Sequence, residues 1–298
     1  MEIMFKRKFV IWHHYDFVFN LTPLAKQYTD LAAKIHTFTS TVSSKKKTNC
    51  VSGEAERKNE SPEALSEDGS SAGRTFLQQL LELSEEGANF TDEEIRDEVD
   101  TFMIGGSATT ASMNTFVFIM LGMFPDIQKK VYEEVMDVLG PDKIVECTDL
   151  GKLIYLERVI KETMRLFPVG LLIVRAITGD IQLDNNCIIP AGSSVVLVIL
   201  KLHRDPEIWP NPTKFDPDRF LPEAIAKRHS YSWLPFSGEP RNCAGVKYAM
   251  MAMKSLIATV VRKYQFSTEY KTVEEIRITA DLMLKPLDGY KLAIELRE

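Results

Sequence analysis

The sequence predicts a mainly α fold with a small β-sheet region, an α+β class in which strands follow the principal helices. Segments with apolar residues at helical spacing cover most of the first 171 positions. From residue 172 onward, short β-branched segments alternate with turns rich in glycine and proline. With 298 residues, 45% of them hydrophobic, the chain is long enough to bury a large core.

The N-terminal part is predicted to be helical up to residue 47 and then polar. Residues 48–74 nearly lack apolar side chains, so we expect a mobile surface loop there, followed by a short helix over 75–86. The apolar face of the N-terminal helices is supplied by Trp12, Phe17, Phe19, Leu21, Leu24, Leu31, Ile35 and Phe38.

A long helix is predicted from Thr91 to about Met123. Thr91 and Glu94 form a capping-box pattern, and acidic residues fill the first turn. The middle of this helix, residues 102–110, is apolar on most sides, which favours a position in the core. The pair Gly105-Gly106 before two threonines favours a local kink.

Two more helices complete the core helices expected over residues 75–171. One begins at Pro125 and ends at Gly140, and the other runs from Leu153 to Leu166. Thr148 is the expected cap of a short helix between them.

The C-terminal part, residues 172–298, is predicted to hold strands, an irregular meander, one long helix and a hairpin. The meander, residues 203–221, is rich in proline but retains aromatic side chains, so we expect it to be ordered. A loop over 234–245 precedes a helix from Ala244 to Lys263. The remaining segments predict strands over Leu172–Thr178, Ile181–Ile189 and Ser194–Ile199, and a hairpin over Leu282–Leu296.

Charge and cysteine content exclude several functional classes. The net charge is −6, with acidic and basic residues mixed along the chain, so no basic surface for nucleic acid is expected. The four cysteines show no CxxC pair, which favours free thiols in a reducing compartment. The sequence has no run of about 18 apolar residues, so we expect no transmembrane anchor. The N-terminus does not resemble a secretory signal.

Cys243 stands in a tight loop immediately before a predicted helix. Unpaired N–H groups at the helix start, the helix dipole and the cation of Arg241 all favour a thiolate. Taken alone, a cysteine of this kind is more often an inert buried thiol than a ligand.

The segment Phe236–Gly245 resembles the haem-binding signature of cytochromes P450, Phe-x-x-Gly-x-Arg-x-Cys-x-Gly, with Glu239 in place of one glycine. Glu162-x-x-Arg165 and residues 215–220 resemble the second and third motifs of the family, in the same order along the chain. The residues around the long helix are most similar to the fourth P450 family, especially its insect relatives. The resemblance implies a P450 fold, and it implies that residues 1–298 form a partial, N-terminally truncated P450 domain.

This resemblance implies a haem b cofactor whose iron is bound by the thiolate of Cys243. No other covalent haem link is expected, because Gly105 replaces the glutamate that esterifies the haem in some family-4 enzymes. Further haem contacts are implied for Phe236, Gly245 and two cations, Arg175 and Arg241. Both arginines are also consistent with ordinary surface positions.

Glu162, Arg165 and Arg219 are implied to form a buried structural lock that holds the cysteine loop. Three residues apart on a helix, Glu162 and Arg165 are otherwise consistent with an exposed ion pair worth a few tenths of a kcal/mol. Burying one carboxylate requires bidentate donors to offset its desolvation.

The long helix resembles the oxygen-binding helix of the family, with Gly106, Ala108 and Thr109 at the catalytic positions. Gly106 is implied to allow a close approach to the haem, and Thr109 to organise proton delivery. Ala108 replaces the usual acid and cannot relay protons, which leaves Ser107 or an ordered water as a substitute. At Glu239, a positive φ would cost about 1–3 kcal/mol.

The function implied is insertion of one oxygen atom from O2 into an apolar substrate, fatty-acid-like or xenobiotic. Electrons would come from an NADPH-dependent flavoprotein reductase at the cytoplasmic face of the endoplasmic reticulum membrane. The alternative is a truncated, catalytically impaired relative without turnover. A third hypothesis is a hydrolase with Cys243 as nucleophile and a histidine as base, chosen among His13, His14, His36, His203 and His229.

Overall fold

The computed structural model describes residues 2–51, 75–183, 187–280 and 283–297. It is mostly helical with small antiparallel sheets, in agreement with the α+β class that the sequence predicts. The chain divides into two compact units, Met1–Ser107 and Ala108–Glu298. The boundary falls inside the longest helix.

Among its described residues, the first unit contains four α-helices and the start of a fifth. They are α1 (Glu2–Phe9), α2 (Asp16–Asn20), α3 (Pro23–Val51), α4 (Phe76–Leu83) and α5 (Asp92–Met123). Residues 48–51 therefore belong to α3 rather than to the predicted loop, because no glycine or proline interrupts the chain between Pro23 and Val51. The rest of that predicted loop, residues 52–74, lies outside the described residues. Of the predicted apolar face, Phe19 is buried, whereas Trp12 and Phe17 are exposed.

Helix α5 begins as the sequence predicts and continues without interruption to Met123. Thr91 and Glu94 form the reciprocal capping hydrogen bonds at its start. The expectation that residues 102–110 are buried is wrong for most of that segment, since burial is concentrated at residues 112–122. Large apolar side chains recur at helical spacing over residues 112–122, whereas residues 105–110 are small. No helical break occurs at Gly105-Gly106.

By length and apolar composition alone, α5 is long and apolar enough to cross a membrane, the one such helix in the described part of the chain. The sequence, which has no run of about 18 apolar residues, predicts no such segment. In the second unit, however, the C-terminal half of α5 lies in the protein core, where Phe116, Val117, Ile119 and Met120 are fully buried. Phe116 stacks on Phe167, with the ring centroids 4.6 Å apart.

Six more α-helices are described in the second unit, and several of them contribute buried residues to the same core as this half of α5. They are α6 (Pro125–Leu139), α7 (Cys147–Leu150), α8 (Ile154–Leu166), α9 (Ile199–Leu202), α10 (Pro222–Ile225) and α11 (Val246–Lys263). The predicted cap Thr148 lies inside α7, and Glu146 takes the cap position instead. The reason is local: the buried carboxylate of Asp149 accepts a hydrogen bond from the Glu146 N–H at 3.4 Å.

Four two-stranded antiparallel sheets are described in the second unit. The pairs are β1 (Leu172–Ala176) with β4 (Ser194–Val198), β2 (Ile181–Gln182) with β3 (Ile188–Ile189), β5 (Tyr264–Ser267) with β8 (Ala293–Leu296), and β6 (Ile278–Ala280) with β7 (Leu284–Pro286). The single strand expected over 181–189 is thus two short strands paired with each other.

The predicted C-terminal hairpin is wrong in its pairing. Strands do flank the turn at Leu287-Asp288, but β7 pairs with the preceding β6, and β8 pairs with β5, which directly follows α11. Burial explains the difference, because Leu284 and Phe266 both face the core.

Candidate haem-thiolate site

The loop over residues 234–245 connects the meander to α11 and carries Cys243. The N–H of Cys243 donates to the carbonyl oxygen of Phe236 at 2.8 Å, which closes the loop on itself. Phe236 is partly buried and packs against the core, so it fixes one side of the loop. Cys243 is exposed and free. A Cβ at Gly245 would lie 3.8 Å from Cys243 Sγ.

Helix α11 begins two residues later than the sequence predicts. Gly245 occupies the N-cap position and Val246 is the first helical residue. Cys243 therefore precedes the helix by a short turn, and Arg241, two residues before it, is exposed.

The backbone of the loop is strained at Ser237, where φ is +65°, and not at Glu239. The strain expected from a non-glycine residue at position 239 is therefore absent. The glycine that the loop requires is Gly238, since a Cβ there would approach the Tyr231 ring to 2.9 Å.

Arg175 extends from β1 to the cysteine loop. Its Nη2 donates to Ser237 Oγ at 3.3 Å, and its Nη1 donates to the carbonyl oxygen of Val174 at 3.0 Å. Of the two cations expected at the haem, the structure thus brings Arg175 against the loop that carries Cys243. Val174, next to it, leaves 55% of its surface exposed.

Glu162 and Arg165 are fully buried on α8, so the exposed ion pair considered in the sequence analysis is excluded. Arg165 binds the carboxylate in a bidentate manner, with Nε to Oε2 at 2.7 Å and Nη2 to Oε1 at 2.8 Å. The N–H of Asp216 donates to the same Oε1 at 2.9 Å. Arg219 Nε lies 3.5 Å from Oε1, an ion pair rather than a close hydrogen bond. Burial raises the pKa of Glu162, and the hydrogen bonds from Arg165 oppose this increase.

The remaining donors of Arg165 bind the meander. Its Nη1 donates to the carbonyl oxygens of His203 at 2.8 Å and Pro212 at 2.7 Å, and its Nη2 donates to that of Lys214 at 3.2 Å. The guanidinium also lies over the Trp209 ring, 5.1 Å from its centroid. One side chain on α8 therefore fixes three points of an otherwise irregular segment.

His203 contacts the cysteine loop, a position that the sequence did not predict, since His203 was expected only as one possible catalytic base. It is fully buried, and its Nε2 accepts the N–H of Leu234, the first residue of the cysteine loop, at 2.8 Å. Burial, together with the charge of Arg165, lowers the pKa of His203 to about 4, so the ring is neutral. In the sequence, only the position of His203 at the start of the meander hints at its contact with the cysteine loop.

The remaining predicted site residues lie on α5. Gly106 belongs to the first unit, and a Cβ there would meet no atom within 4 Å. Ala108 and Thr109 belong to the second unit, and both are partly buried.

The hydrolase hypothesis finds no support in the described part of the second unit. His203 uses Nε2 to accept the Leu234 N–H, and His229 uses Nδ1 to accept the Tyr231 N–H at 3.1 Å. Neither histidine makes a hydrogen bond with Cys243 Sγ there.

Comparisons with known proteins show which proteins the chain is similar to. The family model for cytochrome P450 matches residues 1–293. The chain is 35% identical to cytochrome P450 4c3 of Drosophila melanogaster over 302 residues, covering 100% of this chain and 56% of that protein. It is also 35% identical to cytochrome P450 4c21 of Blattella germanica (95% of this chain, 55% of the relative) and to human cytochrome P450 4V2 (99% and 56%). The chain thus spans about half the length of these relatives.

Proposed function

The chain belongs to the cytochrome P450 family and is similar to its fourth family, and on this premise we propose that it works as a haem-thiolate monooxygenase. The proposed reaction inserts one oxygen atom from O2 into an apolar substrate, fatty-acid-like or xenobiotic. The observation that carries the proposal is the cysteine loop: an exposed thiol at Cys243, a loop closed by its own N–H, and a cation beside the loop at Arg175.

The residues present fit a haem b group. Cys243 would bind the iron, Arg175 and Arg241 would bind the propionates, and Phe236 and Gly245 would lie against the ring. Haem is an anionic, largely apolar macrocycle. It needs a sulfur ligand for the iron, cations for the propionates and an apolar surface, and the thiol of Cys243, the two exposed arginines and Val174 offer these groups. When bound, a thiolate-ligated haem supplies the electron density that favours O–O cleavage.

The protein's own contribution is to hold the sulfur in position. Arg165, paired with Glu162, donates to three carbonyl oxygens of the meander. His203, one of the meander residues bound in this way, accepts the N–H of Leu234 at the start of the cysteine loop. Preorganised loops of this kind place a ligand without reorganisation during the reaction. We propose that the lock serves haem retention rather than a chemical step.

Proton delivery is proposed to depend on Thr109. Its hydroxyl can hold and pass a proton, whereas the methyl group of Ala108 cannot. Ser107, the preceding residue, or an ordered water would then supply the function of the missing acid.

We propose an NADPH-dependent flavoprotein reductase as the electron donor and the cytoplasmic face of the endoplasmic reticulum membrane as the location. Both follow from the similarity to family-4 enzymes.

The test is turnover by the expressed chain. With haem, reductase, NADPH and a fatty acid, the proposal expects an oxygenated product that disappears in Cys243→Ala. Isotopically labelled O2 identifies the origin of the inserted oxygen atom. A haem-loaded chain that forms no product with any apolar substrate would contradict the proposal.

A second candidate is a haem-binding relative without turnover, which Ala108 favours. It predicts haem uptake by the chain, reduction by the reductase and release of all consumed electrons as reduced oxygen species.

A further inference from the structure

His36, Asp97 and Asp100 bring three metal-ligating side chains together within the first unit. Asp97 and Asp100 are three residues apart on α5, so they lie on the same helix face. His36 lies on α3. One donor atom from each of the three lies within 4.8 Å of the other two. None of them belongs to the proposed haem site.

The closest pair already has a separation near that of two ligands of one ion. His36 Nδ1 and Asp100 Oδ2 are 2.7 Å apart. Two ligands of a tetrahedral zinc ion, each about 2.0–2.1 Å from the metal, are about 3.3 Å apart. Opening the pair by about 0.6 Å would therefore make room for one zinc ion bound to both atoms.

The buried carboxylate of Asp100 is a second, independent observation that favours a bound cation. The residue is only 7% exposed, and its Oδ1 is buried without a hydrogen-bond partner in the described part of the chain. A buried carboxylate oxygen without a donor is costly. Because Oδ1 shares a carbon with the Oδ2 that contacts His36, a cation bound beside His36 would neutralise the charge that both oxygens share.

Asp97 supplies the third ligand from the solvent side. Its side chain is 59% exposed, and Arg96 binds only its Oδ1, from Nη2 at 2.8 Å and Nε at 3.1 Å. Oδ2 makes no hydrogen bond to any described residue, so it can turn to a metal. His36, with 45% of its side chain exposed, leaves the site accessible to an ion from solution.

We propose that His36, Asp97 and Asp100 bind a divalent transition-metal ion of the zinc type. One imidazole nitrogen and two carboxylate oxygens are ligands that zinc accepts, with water completing the coordination. Imidazole disfavours magnesium and calcium, which prefer oxygen-only sites. The two carboxylates neutralise the charge of the ion. Bound there, the metal joins α3 to α5 and stabilises the first unit, independently of haem binding.

The test is titration of the full chain with Zn2+, and with Co2+ as a spectroscopic probe. The proposal expects one equivalent of Zn2+ bound at this site, and at least about tenfold weaker binding in both His36→Gln and Asp97→Asn. His14→Gln is the matched control, because His14 is a first-unit histidine whose Nε2 already contacts the Lys8 carbonyl oxygen at 2.8 Å. This control keeps wild-type affinity.

The absorption spectrum of bound Co2+ distinguishes binding at the proposed site from binding by cysteine thiols. Nitrogen and oxygen ligands give weak visible bands, whereas a cysteine ligand adds an intense sulfur-to-cobalt band in the near ultraviolet. Asp97 is exposed, so Asp97→Asn is expected to fold even if the His36 variant does not. Equal Zn2+ affinity in wild type and Asp97→Asn, a site that shows only the sulfur band, or binding of Mg2+ as tight as that of Zn2+ would overturn the proposal.

Discussion

Arg165 uses every donor of its guanidinium inside the protein, on the carboxylate of Glu162 and on three backbone carbonyl oxygens. A buried cation with this many partners depends on its counter-charge, since a charge left unpaired in the interior is strongly destabilising. The motif Glu-x-x-Arg predicts that the two residues pair. It does not predict which carbonyl oxygens of the meander Arg165 binds, because those contacts join residues 38 to 49 positions apart.

Glu162→Gln tests this dependence. Removing the carboxylate charge leaves Arg165 without its bidentate partner, so we expect the free energy of unfolding to fall by about 3–5 kcal/mol. Urea unfolding followed by circular dichroism measures the change. The matched control is Glu133→Gln, an exposed glutamate 3.8 Å from Lys129, which should stay within about 0.5 kcal/mol of wild type.

His203 makes stability depend on pH in the acidic range. Its pKa is about 4 in the folded protein against 6.5 in the unfolded chain, so the unfolded state binds more protons between these values. Its contribution is intact above pH 6.5 and is lost as the pH falls towards 4. At pH 5 the expected loss is about 2 kcal/mol.

The substitution His203→Gln isolates this effect. Glutamine keeps an acceptor for the Leu234 N–H but does not titrate in this range. Thermal unfolding of both proteins at pH 7.5 and pH 5 is the measurement, and the variant should lose less stability between the two values. An identical loss in both proteins would assign the pH dependence to other groups.

Ala108 is where proton delivery is expected to be weakest. Ala108→Asp restores an acid beside Thr109, so the fraction of consumed NADPH that yields product should rise. The ratio of product to NADPH consumed, measured with one substrate for both proteins, provides the test. Unchanged coupling would show that another group already delivers the proton. Ala111→Asp, an exposed position on the same helix, serves as the control.

Gln128 on α6 connects α5 and β5 through its buried side-chain amide. Its Nε2 donates to the carbonyl oxygens of Leu121 in α5 and Phe266 in β5, and its Oε1 accepts the Phe266 N–H, each at 2.9 Å. This contact fixes β5, and through it β8, to the core. Gln128 is polar at a buried position of α6 because its amide pairs with backbone groups of β5, not because the helix needs it.

Gln128→Met tests the role of this amide. The change keeps the side-chain volume but leaves three backbone groups without partners, so we expect a loss of about 2–4 kcal/mol in the free energy of unfolding. Amide hydrogen exchange at Phe266 should increase more than exchange within α8. Equal protection of Phe266 in both proteins would mean that β8 alone holds β5 in place.

Local signals predicted most helices, whereas strand pairing was not predictable. The capping box at Thr91 and the proline at position 125 set the starts of α5 and α6, because both act within one turn. The pairing of β8 with β5 depends instead on which side chains reach the core. The buried part of α5 was predicted at the wrong residues for a similar reason. The side chains at 105–110 are too small to fill a core, although the segment around them is largely without charge.

Two segments distant in the sequence hold the cysteine loop, and a hydrogen bond within the loop closes it. Arg175 of β1 contacts Ser237, His203 of the meander accepts the Leu234 N–H, and the Cys243 N–H closes the loop on Phe236. The family resemblance implied Cys243 as the iron ligand and Arg175 and Arg241 as haem contacts, and these roles stay predictions. It did not indicate the hydrogen bond by which His203 connects the loop to the buried lock.

Binding of haem iron by the thiolate of Cys243 is tested by the carbon monoxide difference spectrum of the reduced, haem-supplied chain. We expect the red-shifted Soret band of thiolate-ligated haem in the wild type and its loss in Cys243→Ala. Cys187→Ala, which removes another exposed free thiol, should keep the band. Absence of haem uptake by the wild type, or a red-shifted band that persists in Cys243→Ala, would contradict the claim.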